Sequence, residues 1–231
     1  MIMDFTTARH NMVAHQIQSH NIDNKTLLNS LQTLPREQFV LPEYQQFAYS
    51  EYAVPIGYNQ TLLPPILVAR ILNILDIQQT DSVLEIGTGT GYLTALISQF
   101  TKQITSIEQH PELSKLAQKN LDALEIDSVQ LNIDNFFELM EKIEKKEKKE
   151  KTLNQYNIII FTGSLSVLPE KLQSLLKVNG RIFAFLGQAP ILSATLCTLT
   201  QQNHLKETRL FETWVAPLED TRQLSTFTFE F

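Results

Sequence analysis

Glycine is scarce in this chain. Seven of its 231 residues are glycine, about half the usual share. Each glycine kept in such a sequence marks a place where the backbone needs a conformation or a clearance that a Cβ denies. Cysteine is scarcer still, at one, Cys197 in SATLCTLT. A single cysteine closes no intramolecular disulfide. Its apolar, alternating neighbours predict a buried strand residue and not a nucleophile, since no helix N-terminus or basic neighbour lowers its pKa. Long apolar runs are missing: no stretch reaches the roughly 18 residues of a membrane span. The opening MIMDFTTARHNMVAHQ lacks the apolar core of a signal peptide. Together these predict a cytoplasmic protein with no membrane partner. A basic excess is also absent, with 19 Lys and Arg against 25 Asp and Glu and a net charge of −6. That argues against a nucleic-acid partner, which needs a basic face. The five histidines, at 10, 15, 20, 110 and 204, have no metal-ligand spacing, so no metal is expected.

What is present is 43% hydrophobic and 19% charged residues, enough apolar material for one sizeable core. Apolar spacing predicts a helix over residues 10–33. Two prolines in LPREQFVLPEY break that pattern, and Tyr49 to Gln60 reads as an irregular loop. Then a rhythm begins. Pro64–Leu75 predicts a helix, SVLEIG a strand, YLTALISQF a helix, QITSIE a strand, and Pro111–Leu124 a helix. SVQLNI, NIIIFTG and GRIFAFLG follow as strands, separated by a helix from Phe136 and another in PEKLQSLLK. Alternation of this kind predicts an α/β fold with a mostly parallel sheet, right-handed crossovers and helices on both faces. ILSATLCTLT and RLFETWVAPL have no helix between them and predict an antiparallel hairpin at the sheet edge, with STFTFEF a possible last strand. The expected division is an N-terminal helical region, 1–63, and a larger domain, 64–231, forming one compact unit. EKIEKKEKKEK, 141–151, reads as a solvated helix with i,i+4 ion pairs or a surface insertion.

Three of the seven glycines, Gly87, Gly89 and Gly91, stand together in VLEIGTGTGYL, where the first strand of the rhythm meets a helix. Such a junction lies at the carboxyl edge of a parallel sheet, where open α/β folds bind ligands. The spacing excludes the dinucleotide fingerprint G-x-G-x-x-G: counting from Gly87 the last glycine position holds Tyr92, and counting from Gly89 it holds Thr94. The pattern actually present, E-x-G-x-G-x-G from Glu85 to Gly91, resembles the first motif of the class I S-adenosylmethionine-dependent methyltransferases. That resemblance implies a glycine loop passing under the amino-acid end of S-adenosyl-L-methionine. Glu108, at the tip of the next strand, can then accept hydrogen bonds from both ribose hydroxyls. Asp134, after the third strand, is implied near the adenine amino group. The implied cofactor-binding residues are Glu85, Gly87, Thr88, Gly89, Thr90, Gly91, Tyr92, Glu108, Gln109 and Asp134.

Blocks outside the glycine cluster narrow the resemblance. LPREQFVLPEY, AYSEYAVPIGYNQT, the Pro64 helix, VLEIGTGTGYLTA, YNIIIFTG, LLKVNGRIFAFLG and TWVAPL together look like the protein-L-isoaspartate O-methyltransferase family, over about Met12 to Leu218. The family implies an N-terminal region that shapes a substrate cleft. It implies methyl esterification of the abnormal carboxyl at isoaspartyl sites in damaged proteins, hence a protein or peptide partner, and a monomer or homodimer. The sequence departs from the family at Leu63, where a serine beside the transferred methyl stands. Leucine neither donates nor accepts a hydrogen bond, and one bond to a charged group contributes about 1.5–3 kcal/mol. Asn59 replaces a glycine, Ile133-Asp134-Asn135 keeps only the acid of a GDG, and Gly163-Ser164-Leu165-Ser166 replaces a run of alanines and proline. Gln60, Thr61, Leu63 and Ser164 are the candidate catalytic residues, with the missing hydroxyl to come from Thr61, Ser164 or Ser166. The alternatives are a methyltransferase of the same lineage with another acceptor, and a cofactor-binding or interaction protein with little catalysis.

Overall fold

Asp4 opens the first helix: its carboxylate accepts the Thr6 and Thr7 backbone N–H groups at 3.0 and 3.2 Å, which starts α1, Phe5–Asn11. The structure, a computed structural model, describes residues 4–146, 155–169, 171–188 and 190–218. The helical path runs on through a π turn, Met12–Ile17, and a 3-10 turn, Gln18–His20. It stops at Asn21, which takes φ 59°, a left-handed conformation that asparagine tolerates. Asn24 then caps a new helix through Leu27 N–H at 3.1 Å, giving α2, Lys25–Thr33. The single helix expected over 10–33 is therefore two, because the Asn21–Asn24 stretch supplies both a stop and a cap.

The proline-rich stretch folds into two 3-10 turns, Arg36–Phe39 and Pro42–Phe47. It leads into a hairpin of β1, Val54–Gly57, and β2, Gln60–Leu62. Tyr58 and Asn59 at its tip have φ 53° and 54°, the pair of left-handed residues that a type I′ turn requires. So the second half of the loop expected from Tyr49 to Gln60 is ordered strand. Pro64 and Pro65 set the entry to α3, Pro65–Leu75.

The alternating half follows: β3 Ser82–Ile86, α4 Tyr92–Ile97, β4 Gln103–Glu108, α5 Pro111–Asp122, β5 Val129–Ile133, α6 Phe136–Lys146, β6 Tyr156–Leu165 and β7 Leu176–Gln188. β8, Ile191–Leu199, and β9, Leu205–Thr213, complete a seven-stranded sheet of order β5-β4-β3-β6-β7-β8-β9. The first five of these are parallel and the last two pair antiparallel, as the expected edge hairpin. One expected helix is corrected. PEKLQSLLK forms a 3-10 turn, Leu172–Leu175, and its last residues already belong to β7. The ten residues between β6 and β7 are fewer than a helical crossover needs. The expected helix over 141–151 is present through Lys146, the end of α6; residues 147–151 and STFTFEF lie outside the described residues.

Side chains alternate across β6. Ile158 and Ile160 enter one apolar cluster, Ile159 and Phe161 the other, so both sheet faces are covered. The first cluster also holds Met12, Ile17, Leu27 and Leu31, so the N-terminal helices share the sheet's core. No helix among the described residues is long and apolar enough to cross a membrane.

Arg36 joins the two halves. It is 0% exposed. Its Nε donates to Ala48 O at 2.6 Å and its Nη2 to Leu63 O at 2.8 Å, while the guanidinium lies 4.6 Å from the centre of the Tyr92 ring. Burial pulls its pKa below the ordinary arginine value. Replacing Arg36 by Met leaves two buried carbonyls without donors, each worth about 1–3 kcal/mol. Arg36→Met should therefore lower stability by about 2–4 kcal/mol, a drop in Tm of roughly 4–16 °C for a chain of this size. A thermal melt within about 2 °C of the parent would show that the joint carries no such load.

Candidate active site

Strand order reverses at β3: its neighbours are β4, reached through α4, and β6, which leads the chain the other way. At such a switch point the loops leaving adjacent strands part and open a crevice at their carboxyl ends. A cleft lies there, about 870 Å³ counting its open mouth. Its floor is the loop after β3, its side the tips of β4 and β5, and its roof the β1–β2 hairpin.

The three clustered glycines meet three different needs. Gly87 has φ +93°, and a Cβ there would run into Thr162 Oγ1, whose hydroxyl sits between the Ile86 and Gly87 carbonyls at 3.0 and 2.7 Å. Gly91, at φ +89°, would press its Cβ on Ala117 Cβ at 3.2 Å, so it serves the packing of α4 on α5. Gly89, at φ +57°, faces only Ile56 Cδ1 in the roof, at 3.0 Å. Gly89 alone keeps the space between roof and floor clear.

Two acids under this loop are held differently. Glu108 accepts Gly89 N–H at 2.8 Å on one oxygen and His110 N–H at 3.0 Å on the other. It stitches the glycine loop to the end of β4. Glu85 is 0% exposed. Its Oε2 accepts the Thr94 hydroxyl and, at 2.7 Å, the Ser106 hydroxyl. Its Oε1 is buried with no partner. Burial is the main cause that pushes its carboxyl up to about 7, with the two hydroxyls opposing and the charge of Glu108 adding to the rise.

The roof is latched at both ends. The Tyr58 ring stacks on His110 with centroids 4.0 Å apart, and its hydroxyl donates to Glu112 Oε2 at 2.9 Å. Gln60 Nε2 donates to Pro217 O at 3.2 Å.

Of the residues singled out in the sequence, Gln60, Thr61, Leu63, Glu85, Gly87, Thr88, Gly89, Tyr92, Glu108, Gln109 and Asp134 all line the cleft. Thr90 and Gly91 lie off it; the Thr90 carbonyl is bound by Asn120 Nδ2 at 2.9 Å. Ser164 does not line it either. Its hydroxyl donates to Val215 O at 3.1 Å and its N–H to Ala216 O at 2.9 Å, so it pins the segment that forms the far wall. Among the lining residues that went unread in the sequence are Thr162, His110 and Phe136. Thr162 is signalled only by being the polar residue that ends an apolar strand run. His110 follows Glu108 by two. Phe136 follows Asp134 by two. Beside them, Asn135 donates to Gln109 Oε1 at 2.9 Å and caps α6 through Phe137 and Glu138 N–H. Among the described residues no cluster of His, Cys, Asp and Glu could hold a metal ion.

The cleft thus offers a buried carboxylate oxygen without a partner, Glu85 Oε1, and a second carboxylate, Glu108, braced by two backbone N–H groups. A sequence model described as "Protein-L-isoaspartate(D-aspartate) O-methyltransferase (PCMT)" matches residues 7–223. A protein-L-isoaspartate O-methyltransferase of Koribacter versatilis is 31% identical over 214 residues, 93% of this chain and 91% of that protein. One from Methanospirillum hungatei is 33% identical over 202 residues, 87% of this chain and 88% of that one. In fold, the chain is similar to a protein-L-isoaspartate O-methyltransferase of Plasmodium falciparum solved in complex with S-adenosyl-L-homocysteine. The TM-score is 0.72 at 20% identity, covering 94% of this chain and 99% of that one. With a family model spanning nearly its whole length, this chain belongs to the protein-L-isoaspartate(D-aspartate) O-methyltransferase family.

Proposed function

We infer that this protein binds S-adenosyl-L-methionine in the cleft and esterifies the free carboxyl group of isoaspartyl residues in damaged proteins. The observation that carries the reading is the buried, unpartnered Glu85 Oε1 beneath the Gly89 clearance, in a member of this family. An orphaned carboxylate oxygen under an open glycine suits the ammonium end of that cofactor. Glu108, with two of its lone pairs on backbone N–H groups, keeps others for the ribose hydroxyls. Asp134 and Phe136 stand beside it for the adenine. When bound, S-adenosyl-L-methionine supplies a methyl group activated by a sulfonium.

The acceptor needs no base from the protein. A carboxylate is already ionised at pH 7, and no proton moves in its esterification. What the chain supplies is placement and exclusion of water. The apolar roof residues Leu62 and Leu63, both buried, and Val215 and Ala216 on the far wall suit that task. Cys197, buried in β8 with its thiol pushed up to about 12 chiefly by burial, takes no part and suits the reducing cytoplasm, where we place the protein.

Glu85 ties cofactor binding to pH. In the ligand-free protein its carboxyl stays protonated up to about pH 7, against 4.5 for an ordinary glutamate. Between those values the native state binds more protons than the unfolded chain, so stability falls as pH rises. Above about 7 both states are ionised and the loss is complete, at up to about 3 kcal/mol. A cation seated at Oε1 favours the ionised form and offsets this penalty.

The parent, unfolded by urea without ligand at pH 5 and pH 8, should therefore lose stability relative to Glu85→Gln as pH rises. Parallel curves for the two proteins would remove Glu85 from the titration. S-adenosyl-L-homocysteine at 100 times its dissociation constant should add about 2.7 kcal/mol to stability. Gly89→Asp should abolish that shift while the protein still folds, since aspartate tolerates φ +57°. No shift in the parent would overturn the cofactor assignment. Incubation with methyl-labelled cofactor should label a peptide containing isoaspartate and leave its normal aspartyl counterpart unlabelled; label in neither, or equally in both, refutes the acceptor assignment.

A further inference from the structure

The acceptor end of the cleft has to seat an anion without a lysine or arginine, since among the described residues none lines it. Hydrogen-bond donors have to do this, and the hydroxyls near the cleft can be followed one at a time. Ser106 donates to Glu85 Oε2, so when Glu85 is ionised the 2.6 Å contact between Thr88 and Ser106 takes the Thr88 proton. Thr162 gives its proton to the Ile86 and Gly87 carbonyls. The Tyr92 hydroxyl has no hydrogen-bond partner, but it is fully buried, in the ring that packs against the Arg36 guanidinium. Ser164 donates to Val215 O and stands off the cleft, and Ser166 is exposed on a separate groove.

Thr61 is left. It lines the cleft, is partly buried, and its hydroxyl has no hydrogen-bond partner among the described residues. Its backbone is fixed from both sides. Gln60 is latched to Pro217 O, and Arg36 holds the Leu63 carbonyl at 2.8 Å. A donor on so constrained a strand loses little further freedom when it binds.

We propose that the Thr61 hydroxyl binds the acceptor carboxylate, a role that rests on the isoaspartyl reading above. It donates to one carboxylate oxygen and leaves a lone pair of the other facing the methyl. That second oxygen forms the new bond to the methyl carbon as the carbon–sulfur bond breaks. The electron pair of that bond stays on sulfur, and Thr61 keeps its proton throughout. The carboxylate loses its charge as the ester forms, so a hydrogen bond to it weakens along the reaction. Its effect belongs mainly to binding of the acceptor, and so to KM more than kcat.

The test compares Thr61→Val, which keeps shape and branching, with Thr61→Ser, which keeps the hydroxyl. Thr61→Val should raise the KM for an isoaspartyl peptide by about ten- to a hundredfold, the weight of one hydrogen bond to a charged group, with kcat changed far less. Thr61→Ser should recover most of that loss. Calorimetric affinity of the same peptide for the protein saturated with S-adenosyl-L-homocysteine should fall in parallel for Thr61→Val, while affinity for S-adenosyl-L-homocysteine itself stays as in the parent. A Thr61→Val enzyme with parental KM and peptide affinity, or a Thr61→Ser enzyme as impaired as Thr61→Val, overturns the assignment. Failure of the parent to label any isoaspartyl peptide is a different result, which removes the isoaspartyl reading and this inference with it.

Discussion

The buried guanidinium of Arg36 is the joint on which the cleft depends. Taking an arginine out of water is costly, and here the compensation comes from two carbonyls and an aromatic ring, all distant in sequence. One carbonyl belongs to Leu63, at the end of the roof. The ring belongs to Tyr92, the first residue of α4, immediately after the glycine loop. A single side chain thus sets the position of the roof against the floor. The clearance between Gly89 and Ile56, 3.0 Å to a hypothetical Cβ, is a consequence of that joint as much as of the glycine. The N-terminal helices that share the sheet's core are therefore part of the site's framework.

Within that frame two glutamates at neighbouring strand tips divide the electrostatic work. Both are nearly inaccessible, at 0% for Glu85 and 5% for Glu108. Glu108 has two backbone N–H donors, one on each oxygen, and these hold the glycine loop against β4. Glu85 has hydroxyls on one oxygen and nothing on the other, so burial dominates and its charge is suppressed until something positive arrives. Glu108 is braced by the fold on both oxygens, while Glu85 Oε1 is left without a partner. Their separation in role follows from hydrogen-bond partners that no local sequence pattern announces.

The alternating half was legible because each strand is a short apolar run bounded by breakers, and the glycine cluster marked its switch point. The N-terminal half was not. The β1–β2 hairpin turns on left-handed Tyr58 and Asn59, and a tyrosine in that conformation is a tertiary outcome, held by His110 and Glu112. The helix read in PEKLQSLLK has the right periodicity, but too little chain separates β6 from β7 for it to form. Site residues show the same division. Glu85, Gly89 and Glu108 stand where strands end and could be read locally. Thr162 meets the glycine loop from 75 residues away, and Arg36 reaches Leu63 across 27; neither link has a signature in one dimension.

This division bears on how a departure at Leu63 should be weighed. The floor of the cleft is assembled mostly from residues at or just after strand tips, so a changed residue there has few substitutes. Its roof and far wall come from the hairpin and residues 215, 216 and 218, which meet only on folding, with Arg36 holding the Leu63 carbonyl. Gln60, Thr61, Leu62 and Leu63 all line the cleft. Leu63 contributes what a leucine can, an apolar side chain in the core and a carbonyl for Arg36. Two residues earlier, the partly exposed Thr61 lines the same cleft, and its hydroxyl has no partner among the described residues. Loss of a polar residue at one position of this lip is therefore weak evidence for loss of chemistry, because Thr61 on the same lip carries a donor whose proton the fold has left available.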